Sequence, residues 1–191
     1  MISIPLIRRE LTGDILGRHI YLFGAGAATT EVLRRLAEAG AQEGTVVLSE
    51  DAGARVGAAV LFRPHLTLGA VPLFSTIATL ALTEAIETDE VRATPVWPDQ
   101  VAIGGVKVAR ATVDIAPTGD RPSHVILGAE IDVPALEVQR GRPTDCNAAI
   151  AAFLNVLDRW TPEYAARGPA ALRGVMQFRA TPWSGPVPAG V

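Results

Sequence analysis

The sequence predicts an α+β fold, a mixed β-sheet with helices packed on it. Three observations point there. Helix-type periodicity is confined to the first ninety residues and to the end of the chain. Four strand-like segments follow one another in the middle with no helix between them. The 191 residues are 49% hydrophobic and 19% charged, enough apolar material for one domain with a real core.

His19 to Phe23 reads as a short strand. The small-residue turn Gly24-Ala25-Gly26-Ala27-Ala28 leads into a helix that Thr29 or Thr30 can cap. On that helix Val32, Leu33, Leu36 and Ala37 share one face and Glu31, Arg34, Arg35 and Glu38 the other, and Gly40 suits its end. Thr45 to Leu48 and Ala58 to Phe62 read as buried strands, joined by the polar connection from Ser49 to Gly57. A long helix is expected from about Ala70 to Glu87, with Pro72 in its first turn and Phe74, Ile77, Ala78, Ala81, Leu82 and Ala85 turned inward.

The meander comprises Ala93 to Trp97, Val101 to Ile103, Val106 to Ile115 and His124 to Asp132. Gly104-Gly105 reads as a two-residue hairpin turn and Pro117 to Ser123 as a polar loop. Asp145 can cap a helix from Cys146 to Trp160, with Ile150, Phe153, Leu154 and Leu157 inward. Thr161-Pro162 then opens a short helix with Tyr164 and Leu172. Residues 1–179 are expected to form one domain, and 180–191, rich in proline and glycine, a flexible tail.

The net charge is −3, and the 17 basic residues are spread along the chain, so no nucleic-acid or anionic-membrane footprint is expected. The stretch from Leu66 to Ile86 is interrupted by Thr, Ser and Glu and reads as a buried helix rather than a membrane span. The single cysteine, Cys146, excludes an intrachain disulfide, and with no Cys/His metal spacing a cytoplasmic location is the expectation.

Several constellations bear on chemistry. Gly24-x-Gly26 between a strand and a helix, with Glu50 after the next strand, matches part of a dinucleotide-binding pattern and makes an oxidoreductase one alternative. Against it, Thr29 replaces the third glycine and the chain turns to a meander after Glu87. Cys146 near a helix N-terminus could serve as an acyl-transfer nucleophile, though a lone cysteine is more often a small buried residue. His19, His65 and His124 are scattered and read as structural. Asp114 and Asp132 lie on strands that could face each other as a carboxylate pair, with outward placement the simpler expectation.

Three segments carry a resemblance. Val96-Trp97-Pro98-Asp99-Gln100 looks like a Lys-Trp-Pro-Asn-Asp strand end. Gly105-Val106-Lys107-Val108-Ala109-Arg110-Ala111 is similar to a hairpin followed by Lys-Leu-Ala-Gly-Ile-Leu. Ile126 to Val133 is similar to Ile-Gly-Ile-Gly-Ile-Asn-Val. With Thr29-Thr30 where Ser-Thr-Asn opens the first helix, the order and spacing resemble the catalytic domain of biotin/lipoate protein ligases over about Leu16 to Met176. The resemblance implies a class II ligase-like fold and a two-step chemistry. A carboxylic acid attacks the α-phosphate of ATP, and the acyl-adenylate is then taken by a lysine of a carrier protein. It implies Lys107 as the catalytic residue, and Thr29, Thr30, Gly53, Arg55, Trp97, Asp99, Arg110 and Gly128 as ligand-binding.

The departures fall on the nucleotide side. The family loop, Gln-x-x-Gly-Arg-Gly-Arg-x-Gly-Arg and a Trp-containing stretch, corresponds here to Glu50-Asp51-Ala52-Gly53-Ala54-Arg55-Val56-Gly57, with the strand following at once. Only Gly53 stays in register. Arginines are lost and Glu50 and Asp51 gained, and each like charge near a phosphate can cost about 1 kcal/mol or more. The family's metal-linked Asn-Asp becomes Asp99-Gln100. A close-approach glycine becomes Arg110, which could fill the acid pocket or pair with a carboxylate.

The expectation is therefore a divergent ligase-like protein with weak or absent ATP-dependent activity. It would bind a small biotin- or lipoate-like carboxylic acid or a carrier-protein-like partner, with a homodimer as a further expectation. No resident metal is expected, and ATP and Mg enter only if ligase activity is retained. The alternatives are an active ligase or acyltransferase working through an acyl-adenylate or acyl intermediate, and the oxidoreductase.

Overall fold

In the computed structural model the described residues are 1–13, 15–24, 27–51, 54–64 and 72–167, with side chains excluded at 72, 73 and 162–167. Gly26, Gly53, His65, Ala70, Leu172 and the expected tail, with the side chain of Tyr164, therefore lie outside what is described. The elements run α1 (Ile4–Glu10), β1 (Ile20–Phe23), α2 (Thr29–Glu38), β2 (Val46–Asp51), β3 (Arg55–Phe62), α3 (Pro72–Ile86), β4 (Thr94–Val96), β5 (Gln100–Ile103), β6 (Val106–Thr118), β7 (Arg121–Asp132), α4 (Val133–Arg140) and α5 (Cys146–Arg167).

The strands form a seven-stranded sheet in the order β1-β2-β3-β7-β6-β5-β4. β1 and β2 are parallel, joined by α2, and the remaining pairs are antiparallel. This is the mixed sheet with helices packed on it that the pattern predicts. β1–α2–β2 is a single parallel crossover. A dinucleotide fold needs several, so the oxidoreductase alternative finds no support.

One face of the sheet holds the main core. Strand alternation sends Val46 and Leu48 of β2, Val60 of β3, and Val125 and Leu127 of β7 to this side. They are buried there with Phe74, Ile77, Phe153 and Leu154 of α3 and α5. α1 joins this side through α5. Asn147 accepts from Ser3 N–H at 2.7 Å, and Asn155 accepts from Thr12 N–H at 2.9 Å while donating to Glu10 C=O at 2.8 Å. On the other face α2 covers only part of the sheet, burying Leu33 and Ala37 against Val47, Ala59, Leu61 and Ile126. Among the described residues no helix covers the rest of that face.

Several boundaries differ from expectation. Ser49 to Gly57 is not mainly a loop. β2 runs to Asp51 and β3 starts at Arg55, because Ser49↔Gly57, Glu50↔Val56 and Asp51↔Arg55 pair through their backbones whatever their side chains. The loop expected at Pro117 to Ser123 likewise zips into β6 and β7 around Gly119 (φ +63°). α5 continues through Pro162 rather than restarting at Thr161. α1 and α4 have no counterpart among the expected elements. α4 carries ordinary signals: the Asp132 carboxylate accepts from Ala135 N–H at 3.0 Å, a proline opens it, and Gly141 (φ +66°) ends it. No helix among the described residues is long and apolar enough to cross a membrane.

Candidate functional site

The part of the second face that α2 leaves uncovered is a polar groove floored by β3, β7 and β6. Two adjoining cavities lie along it. The first, about 270 Å³, is lined by Arg55, Gln100, Lys107, Arg110, Glu130 and Asp132 with their neighbours. The second, about 280 Å³, is lined by Thr29, Ser49, Asp51, Arg55, Gly57 and Glu130 among others. Arg55 and Glu130 line both, so they lie where the two halves meet.

Lys107 reaches the groove through a bulge. Ala102 pairs with Lys107 and Val101 with Ala109, which leaves Val108 as an extra residue on β6. Val108 and Ala109 are both buried in the main core. Lys107 is thereby turned to the opposite face, where it lines the same cavity as Arg110. Simple alternation from Ala109 would send it toward the core face, so the bulge decides its direction. Among the described residues neither the Lys107 nor the Arg55 side chain has an ion-pair or hydrogen-bond partner.

Arg110 pairs with a carboxylate, the second of the two roles open to it: its Nε donates to Asp99 Oδ2 at 2.8 Å. Asp99 is also tied by its carbonyl, which accepts from Ala111 N–H at 2.7 Å. Gln100 Oε1 is buried in the cavity wall with no donor among the described residues. Trp97 packs partly buried against the main core and is not among the residues lining either cavity.

Thr29 and Thr30 do not cap α2. Thr29 is its first residue, and Ala28 precedes it without a side-chain cap bond. The two side chains instead hold the helix start against the sheet. Thr30 Oγ1 lies 3.4 Å from Thr112 Oγ1, and Thr29 is buried beside Gly57 and lines the second cavity. Gly128 is the floor under the threonine pair: a Cβ there would stand 2.3 Å from Thr112 Oγ1 and 3.4 Å from Thr30 Oγ1. So the groove contains the described residues Thr29, Arg55, Lys107 and Arg110. Thr30 and Gly128 support its end, Asp99 sits behind Arg110, and Trp97 belongs to the core side.

Glu50 needs a correction. It does not share the groove with Asp51. On β2 it points to the other face, where its carboxylate accepts from Ile2 N–H at 2.8 Å, and that bond holds its pKa below the ordinary range. Only Asp51 brings negative charge from this pair to the second cavity. Glu130, which reading the sequence did not single out, supplies the other carboxylate. Its signal was its place two residues after Gly128 on the same face.

The remaining reactive groups lie elsewhere. Burial pushes the Cys146 thiol above its usual pKa, and its Sγ faces Thr144 C=O at 3.8 Å, so it is a poor thiolate nucleophile. Asp114 pairs with Arg34 (3.3 Å) and Asp132 caps α4, so they form no acid/base pair. His124 is buried, whereas His19 is exposed. Among the described residues no group of three or more His, Cys, Asp or Glu side chains could hold a metal ion.

No protein-family model matches the chain. Among curated proteins it is 25% identical over 143 residues to the bifunctional ligase/repressor BirA of Bacillus subtilis, and 24% identical to that of Bacillus spizizenii. Each match covers 66% of this chain and 44% of the relative, so the chain spans less than half the length of the curated relatives it matches. Among solved structures it resembles a biotin protein ligase-like protein of unknown function from Silicibacter sp. TM1040, with TM-score 0.75 and 16% identity over 85% of this chain and 77% of that one. It also resembles the biotin protein ligase of Aquifex aeolicus, with TM-score 0.69 and 15% identity over 85% and 77% of the two chains. The structure of that ligase in complex with biotin and ATP aligns at TM-score 0.67 and 15% identity, covering 86% of this chain and 79% of that one.

Proposed function

We propose that this chain, which shares the fold and sequence pattern of biotin/lipoate ligase catalytic domains, binds a small carboxylic acid in the groove and has weak or absent ATP-dependent ligase activity. The observation that carries this reading is the β2–β3 junction. β2 ends at Asp51 and β3 begins at Arg55, in the region where the family pattern places a long glycine- and arginine-rich segment. The junction is pinned: Ala54 N–H bonds to Asp51 C=O at 2.6 Å, and Ala54 C=O accepts from Val133 N–H at 3.1 Å. A segment that short cannot close over an adenylate to exclude water.

The groove residues suit an acid better than a triphosphate. Lys107 and Arg55 are cations without a described partner on one cavity, and together they can neutralise and orient a carboxylate. The first turn of α2 adds backbone N–H groups and the positive end of its dipole to the second cavity. Magnesium triphosphate fits poorly. Arg110 is engaged by Asp99, and Asp51 brings negative charge to the second cavity.

Isothermal titration with biotin, lipoate and short aliphatic acids with and without a terminal amine, alongside ATP–pyrophosphate exchange with the same acids, tests the proposal. Saturable binding of an acid without exchange is expected. Failure of every acid to bind would sink the acid-binding reading, and robust exchange would return the chain to the active ligases.

A further inference from the structure

The charges of the groove are arranged in two unlike halves. Lys107 and Arg110 stand at one end with Asp132, Arg110 held by Asp99 and the Asp132 carboxylate engaged by Ala135 N–H. Asp51 stands at the other. Glu130 lies between, lining both cavities, on β7 opposite Arg110 of β6 and Gly57 of β3. Among the described residues its carboxylate has no ion-pair or hydrogen-bond partner, although Arg55 lines the same two cavities.

A plain carboxylic acid would satisfy Lys107 and Arg55. It would bring a second negative charge toward Glu130, whose side chain is exposed, and it would offer nothing to the buried Gln100 Oε1. A ligand with a carboxylate at one end and a protonated amine at the other answers both halves. The family strand Ile-Gly-Ile-Gly-Ile-Asn-Val, laid with its first glycine on Gly128, has glycine where this chain has Glu130. The carboxylate is thus a feature of this chain rather than of the pattern.

We propose that Glu130 is a specificity-determining residue that selects an amine-bearing carboxylic acid, with the ligand carboxylate at Lys107 and Arg55 and its ammonium at Glu130. The inference rests on the small-acid reading above and narrows it. Lys107 and Arg110 pair with Ala102 and Gln100, two residues apart on β5, so with the bulge Lys107 lies roughly 7 Å along β6 from Arg110, the neighbour of Glu130. A linear six-carbon ω-amino acid, with hydrogen-bond reach at each end, has the length to bridge it.

Titration calorimetry on the full 191-residue chain, with 6-aminohexanoate, hexanoate and biotin as probes, tests the proposal. The wild type is expected to bind 6-aminohexanoate at least tenfold more tightly than hexanoate. Glu130→Gln and Glu130→Gly should remove that preference, with 6-aminohexanoate and hexanoate then binding within about twofold of each other. Equal binding of the two six-carbon acids by the wild type overturns the role of Glu130 and leaves the acid-binding groove standing. So does a preference that survives both substitutions, or binding of biotin with neither six-carbon acid bound. Absence of binding by all the probes overturns both readings.

Discussion

Lys107 shows how much one backbone irregularity decides at the level of a residue. The resemblance named it, and it is the extra Val108 that turns its side chain into the groove. Its ammonium has no described partner to lose, so Lys107→Ala should cost binding and little else. Acid affinity should fall at least tenfold. Stability should stay within about 0.5 kcal/mol, as is usual for an exposed side chain without structural partners. Calorimetry and urea denaturation on the same variant separate the two effects. Glu50 shows where reading residues by their sequence neighbours fails. Adjacent strand residues face opposite ways, so of the two acids after Ser49 only Asp51 reaches the groove. That parity was legible in principle, but only once Ser49 to Gly57 is recognised as a hairpin rather than a loop. Glu130 was legible in the same way, from its spacing to Gly128.

The elements that shape the groove are α2 and the strands beneath its first turn. Gly128 lets Thr30 and Thr112 meet over the sheet, with Ala58 C=O also 3.3 Å from where a Cβ would sit. Gly128→Ala should therefore push α2 and β6 apart and destabilise the fold by about 1–3 kcal/mol, the usual range for overpacking. Combining it with Thr112→Ala should restore part of the loss. Gly57→Ala meets mainly the rotatable Ser49 hydroxyl at 2.7 Å and should cost less. Urea midpoints of the wild type and these variants check the order. Long, strongly patterned elements were legible: α3, α5 and the β5–β7 meander follow from apolar spacing and the Gly104-Gly105 turn. The short α1 was not, because it buries Ile7 alone among its residues and is held by α5 side chains distant in sequence. The expected threonine caps failed because contact with the sheet claims both side chains.

For the whole molecule, one face of the sheet is core and the other is divided between α2 and the groove. His124, near the far end of β7, ties stability to pH. Its ring is buried, Nδ1 sits 3.2 Å from Ser123 Oγ, and Nε2 has no partner among the described residues. Burial lowers its pKa first, and Arg63 adds to this, against the opposing pull of Asp114 and Glu38. The unfolded chain takes up the proton near the ordinary value of 6.5, before the folded chain does. This contribution to stability is therefore complete above that pH and is lost as the pH falls toward the depressed folded value. Urea midpoints should drop between about pH 7.5 and 5.5, a window set by the ordinary histidine pKa, and His124→Gln should flatten the slope. The central claim is that a ligase-type scaffold here keeps an acid-binding groove without the segment that serves nucleotide chemistry. ATP–pyrophosphate exchange in the presence of biotin or lipoate tests it most directly. The account predicts little or no exchange above the protein-free background, and robust acid-dependent exchange that Lys107→Ala abolishes would contradict it.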